Sequence, residues 1–353
     1  MTTDYEAAEL PIDDCIVDLI QMAGGSPHSD LVKEIILTAT KLVDDGTSRG
    51  DLKIINSALK ELRYAFKIFA PYRDRRKVTI FGSARLTPDR PAYRQAVEFA
   101  RRMAEIDYMV ITGAGPGIMQ AGHEGAGRDM SFGVNIRLPF EQSANPVIQD
   151  DPKLINFKYF FTRKLAFVKE TSAIVLFPGG FGTHDEGFEA LTLMQTGKGY
   201  LMPLIYLDPP GDRYWDEWEA YVDRQLVNRG MVSPEDKYLF TVTEDVEHAV
   251  REIQAFYSVY HSQRYVRDTL VLRVHHRISE KMLAGLNEDF SEILLSGKIE
   301  QRGPFPDEAN EPEIAHLPRI AMKFDRHHFG KLRGIIDRIN GWDREKGLVV
   351  DGA

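Results

Sequence analysis

The strongest constraint on the fold is an alternation of short apolar segments with helical segments between residues 77 and 260. "KVTIFGSA", "YMVITG", "AIVLFPGG" and "LMPLIYLD" are too short for helices and are bounded by glycine, proline or polar residues, as strands are. Parallel strands need long crossovers, so this alternation predicts a sheet with helices on both faces. We therefore expect an α/β fold with a doubly wound, mostly parallel Rossmann-like sheet, in which ligands bind at the carboxyl ends of the strands.

The segments on either side of this region have a different character. Residues 1–76 are predicted to form a helical extension, because "SDLVKEIILTATKLVDDG" and "GDLKIINSALKELRYAFKIFAPY" carry apolar residues at helical spacing. Residues 261–353 are predicted to form a small, loosely ferredoxin-like α+β appendage with the order βα, β, βα, in which "TLVLRVHH" is the first strand and "ISEKMLAGLNEDFSEILLSG" the first helix. The α/β domain is expected to occupy residues 77–260, between these two parts.

Composition and charge narrow the range of partners. The 353-residue chain has a net charge of −9, which disfavours a nucleic-acid partner, although helix N-termini bind small anions whatever the global charge. Cys15 is the single cysteine of the sequence, which excludes an internal disulfide and a cysteine-based zinc cluster. The sequence has no uncharged apolar stretch of about 20 residues, and the acidic start "MTTDYEAAELP" does not resemble a signal peptide. We therefore expect a cytoplasmic protein without a membrane partner.

Three of the predicted strands end in loops of glycine and other small residues, "FGSAR", "TGAGPGIM" and "PGGFGT". Glycine lets the backbone approach a ligand closely, and a helix that follows such a loop directs free N–H groups towards an anion. The dinucleotide fingerprint does not fit, because Gly117 lies one position early and Ile118 occupies the expected glycine position. The Gly-Lys-Ser/Thr sequence of a Walker A loop is also missing from these loops. A pocket for a mononucleotide or a sugar phosphate is therefore predicted.

The segment "PGGFGTHDEGFEALTLMQTGK" resembles the P-G-G-x-G-T-x-x-E motif of the LONELY GUY (LOG) family, whose members release a free base from nucleoside 5′-monophosphates. The similarity extends through "VTIFGSAR", "VITGAGPGIMQAGHEGA", "NIRLP" and "FFTRKLAFVKE" and covers roughly residues 77–255. Relatives often carry the label lysine decarboxylase, a chemistry for which this sequence offers no site. The resemblance implies a phosphoribohydrolase that acts on AMP or a cytokinin riboside monophosphate. It also implies that no cofactor or metal is needed, and that the protein is a homodimer or higher homo-oligomer with shared active sites.

The resemblance assigns roles to individual residues. Glu186 matches the glutamate that ends the motif, which is the catalytic carboxylate of the family, and Arg163 matches an arginine that serves substrate binding and catalysis. Glu189 lies three residues further along the same predicted helix and is a second candidate for a substrate contact. Gln120 departs from the glutamate that many relatives carry after "GIM", so no substrate role is implied for it. The residues expected to bind the substrate and its phosphate are Gly82, Ser83, Gly113, Gly115, Gly117, Met119, Gly179, Gly180, Gly182 and Thr183.

Glu186 has two interpretations that are compatible with each other. Thr183-x-x-Glu186 fits a capping box, in which the N-cap threonine and the glutamate at the third helical position each bond the other's backbone N–H. A carboxylate about 4 Å from a bound phosphate is repelled by about 4 kcal/mol, but it stabilises the positive charge that grows on a ribose during N-glycosidic cleavage. We predict that Thr183 caps the helix and fixes Glu186 for catalysis. Asp185, the residue before Glu186, could bond the ribose, but a solvated side chain is favoured for it. Lys164, the residue after Arg163, is also predicted to be solvated.

Two other functions are compatible with the same fold. A non-catalytic nucleotide-binding or molybdenum-cofactor carrier protein would keep the glycine loops and would not need Glu186. A DNA-processing protein would use a related fold, but the net charge of −9 disfavours it. The pairs His275-His276 and His327-His328 could share a metal only if the two βα units adjoin, and roles at helix starts or interfaces are favoured for them, so no metal site is predicted.

Overall fold

The structure is a computed structural model that describes residues 12–137, 144–344 and 346–349. The N-terminal segment that we judged not to be a signal peptide falls outside the described residues, as does the end of the "NIRLP" segment. By its internal contacts the chain divides into two compact units, residues 1–60 and 61–353.

The described part of the first unit is helical. It contains α1 (Ile12–Met22), α2 (Ser29–Asp44) and the beginning of α3 (Arg49–Phe69). Lys33 Nζ lies 2.9 Å from Asp13 Oδ2, an ion pair that joins α2 to α1. The predicted N-terminal helical segment is therefore confirmed.

The second unit is built around a sheet of seven parallel strands. The strands are β1 (Lys77–Phe81), β2 (Met109–Thr112), β3 (Ser131–Ile136), β4 (Leu154–Phe157), β5 (Ala173–Leu176), β6 (Leu204–Leu207) and β7 (Thr241–Thr243). Their order across the sheet is β4-β3-β2-β1-β5-β6-β7, and each neighbouring pair is parallel. The predicted parallel, Rossmann-like sheet is confirmed.

Helices cover both faces of this sheet. They are α4 (Pro91–Glu105), α5 (Ile118–Ala126), α6 (Phe160–Glu170), α7 (Phe181–Gln195), α8 (Tyr214–Tyr221) and α9 (Val246–Phe256). Along β5, Ala173 and Val175 belong to the core that α4, α5 and α9 share, whereas Ile174 and Leu176 belong to the core of α6, α7 and α8. Successive side chains of a strand point to opposite faces, and both faces are buried, so the strand is apolar throughout.

The order of strand addition reverses at β1. The chain first adds β2, β3 and β4 on one side of β1 and then adds β5, β6 and β7 on the other. In such sheets ligands bind in the crevice beyond the carboxyl ends of the strands at the reversal. Here those strands are β1 and β5, and their loops are joined by a hydrogen bond of 3.0 Å from the Ser83 N–H to the Pro178 carbonyl oxygen. The fold thus places the first and third glycine loops side by side.

The C-terminal appendage is an α+β structure with an antiparallel sheet, as predicted. Its elements are β8 (Tyr260–Val266), β9 (Thr269–Val274), α10 (Glu280–Asp289), β10 (Leu294–Arg302), β11 (Arg319–Phe324), α11 (Phe329–Ile339), β12 (Trp342–Asp343) and β13 (Leu348–Val349). The strand order is β10-β11-β9-β8, with β11 antiparallel to both β9 and β10. This is a split β-α-β unit, the core of a ferredoxin-like sheet. The domain boundaries at 76/77 and 260/261 remain predictions.

Three details of the sequence interpretation are corrected. β4 and β8 were not predicted as strands: β4 is an edge strand with alternately exposed residues, and β8 ("YHSQRYV") is largely polar. The predicted first helix of the appendage ends at Asp289, and its last residues, "LLSG", lie in β10 instead.

Candidate active site

A cleft of about 650 Å3 opens at the carboxyl ends of β1, β2 and β5. It brings together most of the residues that the sequence pointed to: Gly82, Ser83, Gly113, Met119, Arg163, Gly179, Gly180, Gly182, Thr183 and Glu186. Gly115, Gly117 and Glu189 are not among the described residues that line it. The cleft also has lining residues that the sequence interpretation did not name as site residues, including His184 and Tyr214.

Gly117 lies where the first and second glycine loops pack against each other. It is the N-cap of α5 and has a φ of 67°, a left-handed conformation that favours glycine. A Cβ at this position would overlap the Ser83 carbonyl oxygen, which accepts a hydrogen bond of 3.0 Å from the Ile118 N–H. Gly117 therefore packs the second glycine loop against the first, and its expected contact with the substrate stays a prediction.

A buried histidine holds the second glycine loop, a role that no local sequence pattern predicts. His123 Nε2 lies 3.0 Å from the Phe132 carbonyl oxygen, which can only accept, so Nε2 carries the hydrogen. Its Nδ1 then accepts from Asn145 Nδ2 at 3.1 Å. The same amide nitrogen lies 3.1 and 3.0 Å from the carbonyl oxygens of Ala114 and Gly115, so its two hydrogens are shared among three acceptors. Burial lowers the pKa of His123, which keeps the ring neutral and this arrangement intact.

The third glycine loop leads directly into α7, whose first residue is Phe181 and whose N-cap is Gly180. The predicted capping box is therefore wrong: Thr183 is the third residue of the helix and Glu186 lies in its second turn. The Thr183 N–H donates to the Gly180 carbonyl oxygen at 3.0 Å. The helix begins three residues earlier than the threonine signal indicated, because glycine is also accepted at an N-cap. As a result the amino end of α7 itself lies in the cleft.

Tyr214 and His184 anchor the third loop. The Tyr214 hydroxyl donates to the Gly179 carbonyl oxygen, and His184 Nε2 lies 2.7 Å from the same hydroxyl. Since the tyrosine hydrogen is directed at Gly179, we assign the hydrogen between the two side chains to His184 Nε2. Burial lowers the pKa of His184, so this neutral form is favoured.

Glu186 is a buried carboxylate at the wall of the cleft. Its side chain is 10% exposed, and burial raises its pKa to about 7, against the opposing charges of Lys164 and Arg163. Lys164 Nζ lies 3.6 Å from Glu186 Oε2, 2.8 Å from Asp185 Oδ2 and 2.6 Å from Glu189 Oε2. The prediction that Lys164 is solvated is therefore wrong, since its side chain is 17% exposed and has three acidic neighbours.

Arg163 reaches the cleft from α6. Its Nε donates to the Val134 carbonyl oxygen at 2.8 Å, and its guanidinium carbon lies 5.1 Å from the centre of the Phe167 ring. A Cβ at Gly113 would lie 2.5 Å from Arg163 Nη2 and 2.7 Å from Met119 Sδ, so a larger residue here would require the ends of both side chains to shift. Arg163 is thus oriented by backbone and ring contacts before any ligand binds.

The amino end of α6 is held by a residue from α3. Glu61 Oε1 accepts from the Lys158 N–H at 2.9 Å, and Glu61 Oε2 accepts from the Thr162 hydroxyl at 2.6 Å. A carboxylate at this end also complements the helix dipole. Because α6 carries both Arg163 and Lys164, Glu61 helps to set the position of the two cations beside the cleft.

Within the described residues, no group of three or more His, Cys, Asp and Glu side chains is arranged to hold a metal ion. In the second histidine pair, His328 pairs with a nearby carboxylate, with Nδ1 2.5 Å from Asp325 Oδ2. His275 lies beside His261, with ring centres 5.3 Å apart. Among the helices of the described chain, none is long and apolar enough to cross a membrane.

Comparison with known proteins confirms the resemblance to the LOG family. Residues 116–253 match the family model described as "Possible lysine decarboxylase". A probable cytokinin riboside 5′-monophosphate phosphoribohydrolase of Oryza sativa subsp. japonica is 29% identical over 101 residues, 28% of this chain and 41% of the relative. The cytokinin riboside 5′-monophosphate phosphoribohydrolase of Mycobacterium tuberculosis is 32% identical over 106 residues, 29% of this chain and 52% of the relative. The chain spans about half the length of these curated relatives.

Among solved structures, the molybdenum cofactor binding protein from the phototrophic bacterium Rippkaea orientalis aligns with 51% of this chain and 96% of its own length. The sequence identity is 17% and the TM-score is 0.36.

Proposed function

We propose that this chain hydrolyses the N-glycosidic bond of a nucleoside 5′-monophosphate, which gives a free base and ribose 5-phosphate. The observation that carries the proposal is the place of Glu186, a buried carboxylate at a cleft whose walls also include Arg163 and the amino end of α7. The relatives named above are phosphoribohydrolases of cytokinin riboside 5′-monophosphates, which supports the same class of reaction.

The amino end of α7 is the proposed binding site for the phosphate. Gly180, Phe181 and Gly182 line the cleft at the start of this helix, where N–H groups lack partners within the helix. Such an end attracts anions through its N–H groups and its dipole. Arg163 lines the same cleft, and a guanidinium group suits the geometry of a phosphate. A substrate without the phosphate would lose both interactions.

Glu186 is the proposed catalytic carboxylate. As the bond between C1′ and the base breaks, the base leaves with the bonding electrons and positive charge grows on the ribose. An ionised Glu186 stabilises this charge and accepts a proton from the attacking water, whose oxygen forms the new bond to C1′. The departing base takes up one proton from the solvent, and Glu186 afterwards releases the proton that it took from the water, so the overall reaction consumes one water molecule. A pKa of about 7, raised by burial, suits a general base that works near neutral pH.

The surface beside the cleft supports a homodimer. Phe160, Phe161 and Leu165 on α6 are 52%, 55% and 47% exposed, and Phe181 at the cleft is 96% exposed. Clustered apolar side chains on a surface are typical of a protein interface. We propose that a second copy of this chain covers them and completes the cleft. Light scattering should give a dimeric or larger mass for the wild type and a monomer for Leu165→Glu, and a monomeric wild type would contradict this part of the proposal.

A substrate panel tests the proposed reaction. The purified protein is incubated with AMP, GMP, CMP and IMP and with the matching nucleosides, and base release is followed by chromatography. We expect release from at least one monophosphate, at least about 100-fold faster than from its nucleoside, because charge-assisted contacts to the phosphate are worth about 3 kcal/mol or more in sum. A folded protein that releases no base from any monophosphate would overturn the proposal.

A further inference from the structure

Lys164 lies at the centre of three carboxylates that α7 presents to α6. Its ammonium group makes close ion pairs with Asp185 and Glu189, at 2.8 and 2.6 Å, and faces Glu186 Oε2 at 3.6 Å. Lys164 itself is not among the described residues that line the cleft. Its closest partners, Asp185 and Glu189, lie one residue before and three residues after Glu186 on α7. The two ion pairs therefore fix the lysine beside Glu186.

We propose that Lys164 is a positioning residue that keeps Glu186 ionised and directed into the cleft at neutral pH. The kinetic part of this inference rests on the function proposed above, in which Glu186 acts as a carboxylate. Its electrostatic part concerns Glu186 alone and can be measured without any substrate.

The charges around Glu186 explain why this lysine matters. The cations that oppose the effect of burial on Glu186 are Lys164 and Arg163, both from α6, while Asp185 and Glu189 on α7 favour the protonated form. A phosphate bound at Arg163 would offset the charge of that arginine, so Lys164 would then be the principal cation that favours ionised Glu186. Removing Lys164 would also leave Asp185 and Glu189 to act on Glu186 without their neutralising partner.

The distance of 3.6 Å is as important as the charge. A direct hydrogen bond from the ammonium group would occupy a lone pair of Glu186 and lower its basicity further. Lys164 directs its short contacts to Asp185 and Glu189 instead, so it favours the ionised form of Glu186 and leaves the carboxylate oxygens free to accept a proton from water. Lys164 therefore acts on the charge of Glu186 without forming a direct hydrogen bond to it.

The electrostatic part is tested by carbon-13 NMR of the glutamate carboxyl groups, with the Glu186 signal assigned by its loss in Glu186→Gln. In Lys164→Met the titration midpoint of Glu186 should rise by about one pH unit or more, since an opposite charge within 4–6 Å shifts a carboxyl pKa by about 1–3 units. Lys164→Arg should stay closer to the wild type. Lys169→Met is the matched control, because Lys169 lies on the same helix and pairs with Glu170. An unchanged midpoint in Lys164→Met would overturn the proposal.

The kinetic part is tested by pH profiles of base release. For Lys164→Met we expect kcat at pH 7 to fall about fivefold, because a rise of about one pH unit from a pKa of about 7 lowers the ionised fraction of Glu186 from about one half to about one tenth. KM should change by about twofold or less. The acidic limb of the profile should move to higher pH, and activity should recover towards the wild-type level near pH 9. A loss of equal size at every pH would indicate a merely structural lysine and contradict the proposal. If the wild type cleaves no nucleotide, the proposed function fails, while the NMR titration still decides the role of Lys164.

Discussion

Two buried glutamates in this molecule have opposite electrostatic surroundings. Glu186 lies at the wall of the cleft, where burial raises its pKa to about 7 although Lys164 and Arg163 oppose this. Glu308 lies in the loop between β10 and β11, where burial also favours the protonated form, but the Phe305 N–H and two guanidinium groups lower its pKa to about 2. The side chains are similarly enclosed, at 10% and 0% exposure, so the difference comes from their partners.

The two carboxylates differ in how completely they are paired. Glu308 accepts hydrogen bonds from Arg273 Nη2 at 2.7 Å, from Arg319 Nε at 3.2 Å and from the Phe305 N–H at 3.0 Å. Its charge is neutralised and its oxygens are occupied, so it has little capacity to accept a proton. Glu186 has a cation at 3.6 Å and an open cleft before it. Glu186 is therefore incompletely paired, which is the state that the proposed role as a general base requires.

The largest expected effect is on turnover in Glu186→Gln. The amide keeps the shape of the side chain but neither carries a negative charge nor accepts a proton, so base release should fall by about 10³-fold or more. Affinity for AMP should change by about threefold or less, because the proposed phosphate contacts are untouched. Initial rates and calorimetric titration measure the two quantities. Substantial turnover by this variant would remove Glu186 from the mechanism, and Glu313→Gln at an exposed position is the control.

Glu308→Gln is expected to lose stability and to keep its turnover, the reverse of Glu186→Gln. Loss of this carboxylate leaves the buried positive charges of Arg319 and Arg273 without their shared partner. Removing one partner of a buried ion pair costs about 3–5 kcal/mol of stability. Urea unfolding at pH 7 should show a loss of this size relative to Glu313→Gln. The folded fraction should retain the wild-type kcat, since the loop lies outside the cleft-lining residues. A loss of stability below about 1 kcal/mol would mean that the arginine pairs contribute little.

The two glutamates should also respond to pH in opposite directions. A raised folded pKa means that the contribution of Glu186 to stability is fully present below its unfolded value of 4.5 and is lost as the pH rises towards about 7. The lowered pKa of Glu308 means that its contribution is present above 4.5 and is lost as the pH falls towards about 2.

Urea unfolding across this range separates the two effects. As the pH falls from 8 to 4.5, the free energy of unfolding of the wild type should rise by up to about 3 kcal/mol relative to Glu186→Gln. This is the amount that corresponds to a rise of the Glu186 pKa from 4.5 to about 7. Between pH 4.5 and pH 3 it should lose stability relative to Glu308→Gln. Parallel curves for the wild type and Glu186→Gln would show that Glu186 does not titrate abnormally.

A smaller effect is expected from Glu61→Ala, which removes the side chain that accepts from the Lys158 N–H and the Thr162 hydroxyl. Loss of a helix cap costs about 1 kcal/mol of stability, and kcat/KM should fall several-fold because α6 carries Arg163 and Lys164. Glu61→Gln keeps one acceptor and should lie between the alanine variant and the wild type. Wild-type kinetics for Glu61→Ala would show that the position of α6 does not depend on this contact.

The central sheet and the loops of the cleft could be predicted from the sequence because their signals are local. The buried strands are continuous apolar runs, and each glycine loop follows its strand directly. β4 and β8 were missed because edge strands carry polar residues and depend on pairing with distant segments.

The details of the site depended on contacts that the sequence does not encode locally. The Thr183-x-x-Glu186 spacing matched a capping box, but Gly180 became the N-cap and left Glu186 in the second turn of α7. The sequence predicts a solvated Lys164, but the packing of α6 beside α7 places its ammonium group among three carboxylates. The buried link from His123 through Asn145 to the second loop joins residues 22 positions apart.

The most direct test of the proposed reaction is product analysis with AMP. We predict that the wild-type protein releases adenine and ribose 5-phosphate in equal amounts, with the two products quantified in the same sample by chromatography and mass spectrometry. Adenosine with inorganic phosphate would instead indicate cleavage of the phosphate ester. Either that result or intact AMP, together with the same outcome for the other monophosphates, would contradict the assignment of Glu186 to N-glycosidic hydrolysis.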